Sequence, residues 1–205
     1  MLYYETIEPK TLELLMQLQS QSAFSQLRLV GGTSLALQLG HRKSVDIDLF
    51  GKLNIDKYEL DEILRSYASI KTLRTSKNIN IYLLNGIKVD IVNYSYKWLF
   101  KPISIDGLFL ADIKDIAAMK LSAITGRGGK KDFIDLYFIL QKYKLDEIIN
   151  FYNKKYPDGS EFLLLKSLAY FDDAEQDEKP YMIKDIKWKQ VKQFIKNELN
   201  KYLIK

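Results

Sequence analysis

Apolar residues in this chain change their spacing several times, and each change marks an element. In PKTLELLMQLQSQS, Leu12, Leu14, Leu15 and Leu18 form a rough helical stripe, which predicts a helix over residues 9–22. Leu27 to Val30 is a short apolar run closed by Gly31-Gly32, a strand followed by a tight turn. Thr33 or Ser34 is placed to cap the next helix, which carries Leu35, Leu37 and Leu39 and stops at Gly40. Val45 to Phe50 is the next expected strand, and residues 56–69 read as a helix capped by Asp56. Asn80–Leu84 and Ile87–Asn93 flank Asn85-Gly86, the dipeptide that most strongly signals a hairpin. Past about residue 100 helical spacing takes over: Ile113–Ile124, Asp132–Tyr143, Asp146–Tyr152, Glu161–Tyr170 and Ile186–Ile204. The acidic stretch FDDAEQDEKP, 171–180, is expected to be a loop. The expectation is therefore an α+β chain. An N-terminal α/β lobe over residues 1–100 would hold a small mixed sheet with flanking helices, and a helical lobe would follow over 101–205.

Composition narrows the chemistry. With 47% hydrophobic and 28% charged residues among 205, the chain has an ordinary folding composition. It has no cysteine, so disulfides, thiolate nucleophiles and zinc–thiolate sites are excluded; a reducing cytoplasm fits. The single histidine, His41, makes His-rich metal sites and a Ser-His-Asp triad poor candidates. The N-terminus lacks the basic and apolar regions of a signal peptide, and no apolar run approaches the ~18 residues of a membrane span. A net charge of +5 permits an anionic partner without requiring one.

The aspartates carry the chemical signal. Asp46 and Asp48 alternate on a strand, so they share a face with Cα atoms roughly 6.5–7 Å apart. Two carboxylates there repel and raise each other's pKa unless a cation lies between them, and a hard divalent ion such as Mg²⁺ suits oxygen ligands. Asp90 lies within the apolar run around Val89, Ile91 and Val92. Were its strand beside that of Asp48, about 4.8 Å away, three carboxylates would meet where an in-line phosphoryl displacement could be served. The plainer accounts are a solvated D-x-D face and an Asp90 paired with Lys88; Asp56, Asp61 and Glu62 are assigned to a solvated helix face.

Gly31, Gly32, Thr33 and Ser34 stand where a strand passes into a helix, whose free N–H groups and positive dipole end could cradle phosphate; a plain capped turn explains them equally. In LADIKDIAAMKLSAITGRGGKKDFIDLYF, Lys120 falls on or beside an apolar stripe and must snorkel or find an anion. Arg127, Lys130, Lys131, Asp132 and Asp135 crowd the next turn, where Lys131 and Asp135 could form an exposed i,i+4 pair.

Strand, GG[ST], helix, D-x-D and a third aspartate on a later strand resemble the nucleotidyltransferase fold of the DNA polymerase β superfamily. More narrowly, GGTSLALQLGHRKSVDIDLF with DIAAMKLSAITGRGGKKDFIDLYF, across residues 27–140, resembles the AbiEii-type nucleotidyltransferases, toxins of bacterial abortive-infection and type IV toxin–antitoxin systems. The resemblance implies that Gly31, Gly32, Thr33 and Ser34 hold a nucleoside triphosphate. It implies that Asp46 and Asp48 bind Mg²⁺ (or Mn²⁺), and that Asp90 completes the metal site and helps activate an acceptor hydroxyl. It also implies nucleotide contacts from Lys120 and from Asp132 or Asp135, with Arg127 on the phosphates. Arg42, in the H-R element, would contact phosphate or pair with Asp46 or Asp48. The implied acceptor is a tRNA end or a protein hydroxyl, and the implied partner a cognate antitoxin. The rival expectations are a small-molecule nucleotidyltransferase of the antibiotic-modifying type and a non-catalytic nucleotide- or partner-binding module. The C-terminal lysines, Lys184, Lys187, Lys189, Lys192, Lys196, Lys201 and Lys205, could track an RNA backbone or form a solvated face. The helices after residue 145 match no part of the family pattern.

Overall fold

Alternation along the strands sets the architecture of the computed structural model, which describes residues 1–204. Strand β2 (Ile47–Gly51) buries Ile47 and Leu49 and turns Asp48 and Phe50 to the opposite face. Strand β5 (Ile87–Asn93) buries Val89 and Ile91 and turns Lys88 and Asp90 the same way as Asp48. With β1 (Leu27–Leu29), β3 (Ile70–Thr75), β4 (Ile79–Leu84), β6 (Ile103–Ile105) and β7 (Leu108–Leu110), they form a mixed sheet in the order β3-β4-β5-β2-β1-β7-β6. β2 and β5 are parallel, as are β1 and β7; the other neighbours are antiparallel.

Each sheet face has its own core. On one face α1 (Pro9–Gln19) and α3 (Lys57–Arg65) pack Leu14, Leu15, Leu18, Leu60 and Leu64 against strand residues such as Ile47, Tyr82 and Ile91. On the other lie α4 (Ile113–Arg127), α5 (Lys130–Leu140), α6 (Leu145–Lys155), α7 (Glu161–Ala169), the short α8 (Asp172–Glu175) and α9 (Trp188–Leu203). Helix α2 (Gly31–Leu39) joins the two cores: Leu37 enters the first, Leu35 and Leu39 the second. Among the described residues no helix is long and apolar enough to cross a membrane.

Several local expectations need correction. Helix α2 begins at Gly31 itself, with Val30 as N-cap and no side-chain cap, so neither Thr33 nor Ser34 caps it. Strand β2 begins at Ile47, which leaves Asp46 just before it. Asp61 is not merely solvated: the hydroxyl of the buried Tyr82 donates to it at 2.8 Å. Residues 103–110, with no helical or strand expectation, form the β6–β7 hairpin and extend the sheet. Three-residue strands carry too little alternation to read, although Asp106-Gly107, both at positive φ, is a hairpin-turn pair. Strand β3 is a mostly exposed edge without an apolar face. The acidic segment 171–180 holds α8, and Asp177 accepts from the Lys130 amide at 2.8 Å at the start of α5. Asp56 does cap α3, accepting from the Glu59 amide at 2.9 Å, and Asn85-Gly86, both at positive φ, joins β4 to β5. Lys205 lies outside the described residues.

Candidate active site

The parallel β2–β5 ladder sets Asp48 directly opposite Asp90, with side chains on one face. Asp46 precedes β2 on the same side, and all three line a cavity of about 290 Å³ between the sheet and the first turns of α2 and α5. Gly31 and Gly32 form its inner wall, and close approach explains both. A Cβ on Gly31 would lie 2.0 Å from Asp48 Oδ2, and Gly31 holds φ +67°; a Cβ on Gly32 would lie 2.2 Å from Arg42 Nη2. The glycines thus admit one carboxylate and one guanidinium to the N-terminus of α2, where unpaired amides and the dipole favour an anion.

Asp46 and Asp48 carboxylates have no hydrogen-bond or ion-pair partner among the described residues, whereas Asp90 accepts from Lys88 Nζ at 2.6 Å. Burial, and then the Asp90 charge, push the Asp48 carboxyl up to about 6. Burial works against the Lys88 charge, but its bond to Asp90 outweighs that and raises its pKa. No group of three metal-ligating side chains is already drawn around a common point among the described residues. With Asp90 tied to Lys88, the donors line one wall rather than enclose a cage. That set still fits Mg²⁺ or Mn²⁺, which bind through one or two carboxylates and complete their shells with phosphate and water.

Behind this wall lies a buried charge network. Arg42 binds Asp135 in bidentate fashion, Nε to Oδ1 at 2.7 Å and Nη2 to Oδ2 at 2.9 Å. Lys120 Nζ reaches Asp135 Oδ2 at 2.7 Å and Asp132 Oδ1 at 2.9 Å, and Arg127 Nε reaches Asp132 Oδ2 at 2.7 Å. His41 Nε2 lies 2.8 Å from Asp135 Oδ1. Burial opposes ionisation of Asp135, but Arg42 and Lys120 hold its carboxyl well below the usual range. Burial likewise opposes the Lys120 charge, and Asp135 and Asp132 overcome it, raising its pKa. Burial lowers His41 more than Asp135 raises it, so the imidazole is neutral and donates from Nε2.

This network corrects two expectations. Arg42 pairs with Asp135 rather than Asp46 or Asp48, and Asp135 is fully buried rather than exposed beside Lys131. Of the residues singled out in the sequence, Gly31, Gly32, Arg42, Asp46, Asp48, Asp90, Lys120, Arg127 and Asp132 line the cavity. Thr33, Ser34 and Asp135 do not. Thr33 Oγ1 donates to the Asp46 carbonyl and accepts from the Ser44 hydroxyl, and Ser34 Oγ accepts from Gln38. The Asp90–Lys88 pair expected from strand alternation is present, and Lys88 lines the cavity as well. Tyr181 had no local signal. It reaches the cavity because residues 181–184 run along the H-R element, where the Lys43 amide donates to the Tyr181 carbonyl at 2.8 Å and the Ile183 amide to the His41 carbonyl at 2.9 Å. The cavity continues into a slot of about 200 Å³ that Phe50 and Ile116, Met119 and Ala123 of α4 line on an apolar side, with Asp48, Asp90, Lys120, Arg127 and Asp132 on the other.

Residues 13–106 match the family described as "Nucleotidyl transferase AbiEii toxin, Type IV TA system". An uncharacterized protein of Aquifex aeolicus is 35% identical over 201 residues, 93% of this chain and 95% of that protein. Two solved structures share the fold. MenT4, a nucleotidyltransferase toxin from Mycobacterium tuberculosis, is 16% identical with TM-score 0.60, over 91% of this chain and 80% of its own. JHP933 from Helicobacter pylori is 18% identical with TM-score 0.55, over 96% of both chains.

Proposed function

We propose that the chain, whose residues 13–106 match the AbiEii nucleotidyltransferase toxin family, carries a nucleotide from a nucleoside triphosphate to a hydroxyl of tRNA, with a divalent cation held by Asp46, Asp48 and Asp90. The register of Asp48 against Asp90 beside the Gly31 turn carries this reading, since it gathers residues from distant parts of the chain onto one wall. Two unpartnered carboxylates next to a helix N-terminus are poorly compatible with each other until a cation joins them.

The triphosphate lies against the Gly31-Gly32 backbone, where the α2 amides point and no Cβ intrudes. Arg127, whose side chain is 71% exposed while its guanidinium is paired with Asp132, and Lys131 present positive charge to its oxygens. Arg42 and Lys120 are committed to Asp135 and Asp132; they hold the cavity wall rigid and add a fixed positive field. The slot, with an apolar side at Phe50, Ile116 and Met119 and charged residues opposite, suits a nucleobase. When bound, the cation neutralises developing charge on the phosphoryl group and acidifies the acceptor hydroxyl. Asp90, on release from Lys88, is the carboxylate that takes the proton. The acceptor oxygen bonds to the α-phosphorus, the bond to the bridging oxygen breaks, and pyrophosphate leaves. Consistent with a toxin family, expression is expected to inhibit growth, with relief by a cognate antitoxin.

Incubation with α-labelled nucleoside triphosphates, total tRNA and Mg²⁺ tests this. Label on tRNA with the wild type, and none with Asp46→Ala or in EDTA, supports it. Label on a protein or a small molecule redirects the acceptor; no transfer under any condition refutes the reading.

A further inference from the structure

The far end of β1 and β2 carries a second cavity, of about 340 Å³, that no part of the transfer chemistry uses. Its lining combines Arg28, Lys52 and Lys97 with Tyr94, Tyr96 and Trp98, and contains no acidic side chain. None of the three cations forms an ion pair among the described residues. The Arg28 guanidinium is half-buried, stacked 4.4 Å above the Trp98 ring and bonded only to the Phe100 carbonyl at 2.8 Å. The nearest buried carboxylate, Asp115, is already matched by Lys155 at 2.7 Å and by the amides of Leu99 and Phe100. These contacts hold the 94–100 segment firmly and leave the cavity with uncompensated positive charge.

A chain of aromatic ring contacts runs from this cavity toward the aspartates. Asp48, Phe50 and Lys52 follow one another at alternate positions, over about 13 Å. Phe50 borders the slot beside Asp48 and Asp90, and its ring lies 5.5 Å from that of Tyr94. Tyr94 lies 5.5 Å from Tyr96 and 5.3 Å from Trp98. Trp98 is engaged by Arg28 and Lys155, whereas Tyr96 is 42% exposed and offers ring surface.

We propose that this cavity binds a single-stranded segment of nucleic acid, with a base on Tyr96 and phosphates on Arg28, Lys52 and Lys97, and that the path past Phe50 leads the strand's end to the aspartates. Interleaved aromatic rings and cations are what a single strand requires: any base stacks, and each phosphate needs a positive charge. A lone mononucleotide would use the cavity but not the path of rings leading from it. The direction of the strand rests on the transferase reading; the existence of the site does not.

The test is fluorescence anisotropy of a labelled 12-nucleotide single-stranded RNA, without triphosphate or metal. Tyr96→Ala is expected to weaken binding about 5- to 150-fold. Lys52→Glu with Lys97→Glu is expected to weaken it further and to reduce the slope of log K against log salt by about 1.4. All three side chains are exposed or lie at the surface, so the variants fold, which circular dichroism verifies. Lys189→Glu with Lys196→Glu, on α9, is the control and is expected to change affinity less than threefold. The proposal is overturned if the wild type does not bind, if the cavity variants bind normally, if only the α9 variant loses affinity, or if a nucleoside monophosphate displaces the strand at its own affinity. Asp46→Ala should bind RNA as the wild type does. RNA binding in this assay, together with no transfer under any condition in the labelled-nucleotide assay, would refute the transferase reading and leave this site standing.

Discussion

Asp48 faces Asp90 across a parallel strand pair, and only Asp90 has a counter-ion, the Lys88 ammonium at 2.6 Å. The site is electrostatically strained around Asp48, and the strain can be measured.

Asp48→Asn should therefore abolish transfer yet raise stability in EDTA. The folded carboxyl titrates at about 6 against roughly 3.9 unfolded, so ionisation opposes folding above that window. Wild-type stability should rise as pH falls from about 6 towards 4, while the Asn variant lacks that rise. Near pH 7.5 the variant should gain about 1–3 kcal/mol in urea titrations. Mg²⁺ should raise the wild-type melting temperature and leave the variant's unchanged.

Lys88→Met should reduce the Mg²⁺ concentration needed for half-maximal transfer by a few fold. The cation then no longer competes with an ammonium for Asp90, and a partly exposed pair is worth at most about 1 kcal/mol. An unchanged or higher requirement would show that Lys88 assists the cation rather than competing with it.

Asp135→Ala should cost about 3–5 kcal/mol, because it leaves Arg42 and Lys120 buried without their shared carboxylate. Lys131→Ala, at a surface position without an ion pair among the described residues, should stay within about 0.5 kcal/mol. The depressed Asp135 pKa means its stabilisation is complete above the ordinary carboxylate range and is lost only as pH falls through the lower folded value. The wild-type contribution should therefore persist below pH 4, as acid-unfolding titrations of the two proteins would show.

Gly31→Ala should reduce transfer by at least tenfold and destabilise by about 2 kcal/mol or more. A methyl group there both disfavours the left-handed backbone and collides with Asp48 Oδ2. Gly126→Ala, where a Cβ meets nothing and the residue lies inside α4, should instead be neutral or mildly stabilising by thermal melting.

Local order was largely legible in the chain. Period and punctuation located α1, α2, the β4–β5 hairpin and the helices from α4 onward apart from α8, because helical stripes, Asn-Gly and capping residues act over a few residues. The residue types that line the cavity were legible too, since glycines and aspartates in apolar runs are locally improbable and need a reason. What the chain alone left open was pairing. The register that sets Asp48 against Asp90 spans some forty residues, and the Arg42–Asp135 bond more than ninety, so no local period encodes either. Arg42 chose Asp135 over the nearer Asp46 and Asp48 because α5 buries that carboxylate behind the cavity wall, where only an enclosed guanidinium and ammonium can compensate it. The same long-range packing brought Tyr181 to the cavity, made β3, β6 and β7 part of the sheet, and assembled the basic aromatic cavity at its far end. Neighbouring residues determined the elements, and tertiary burial determined which charges had to meet.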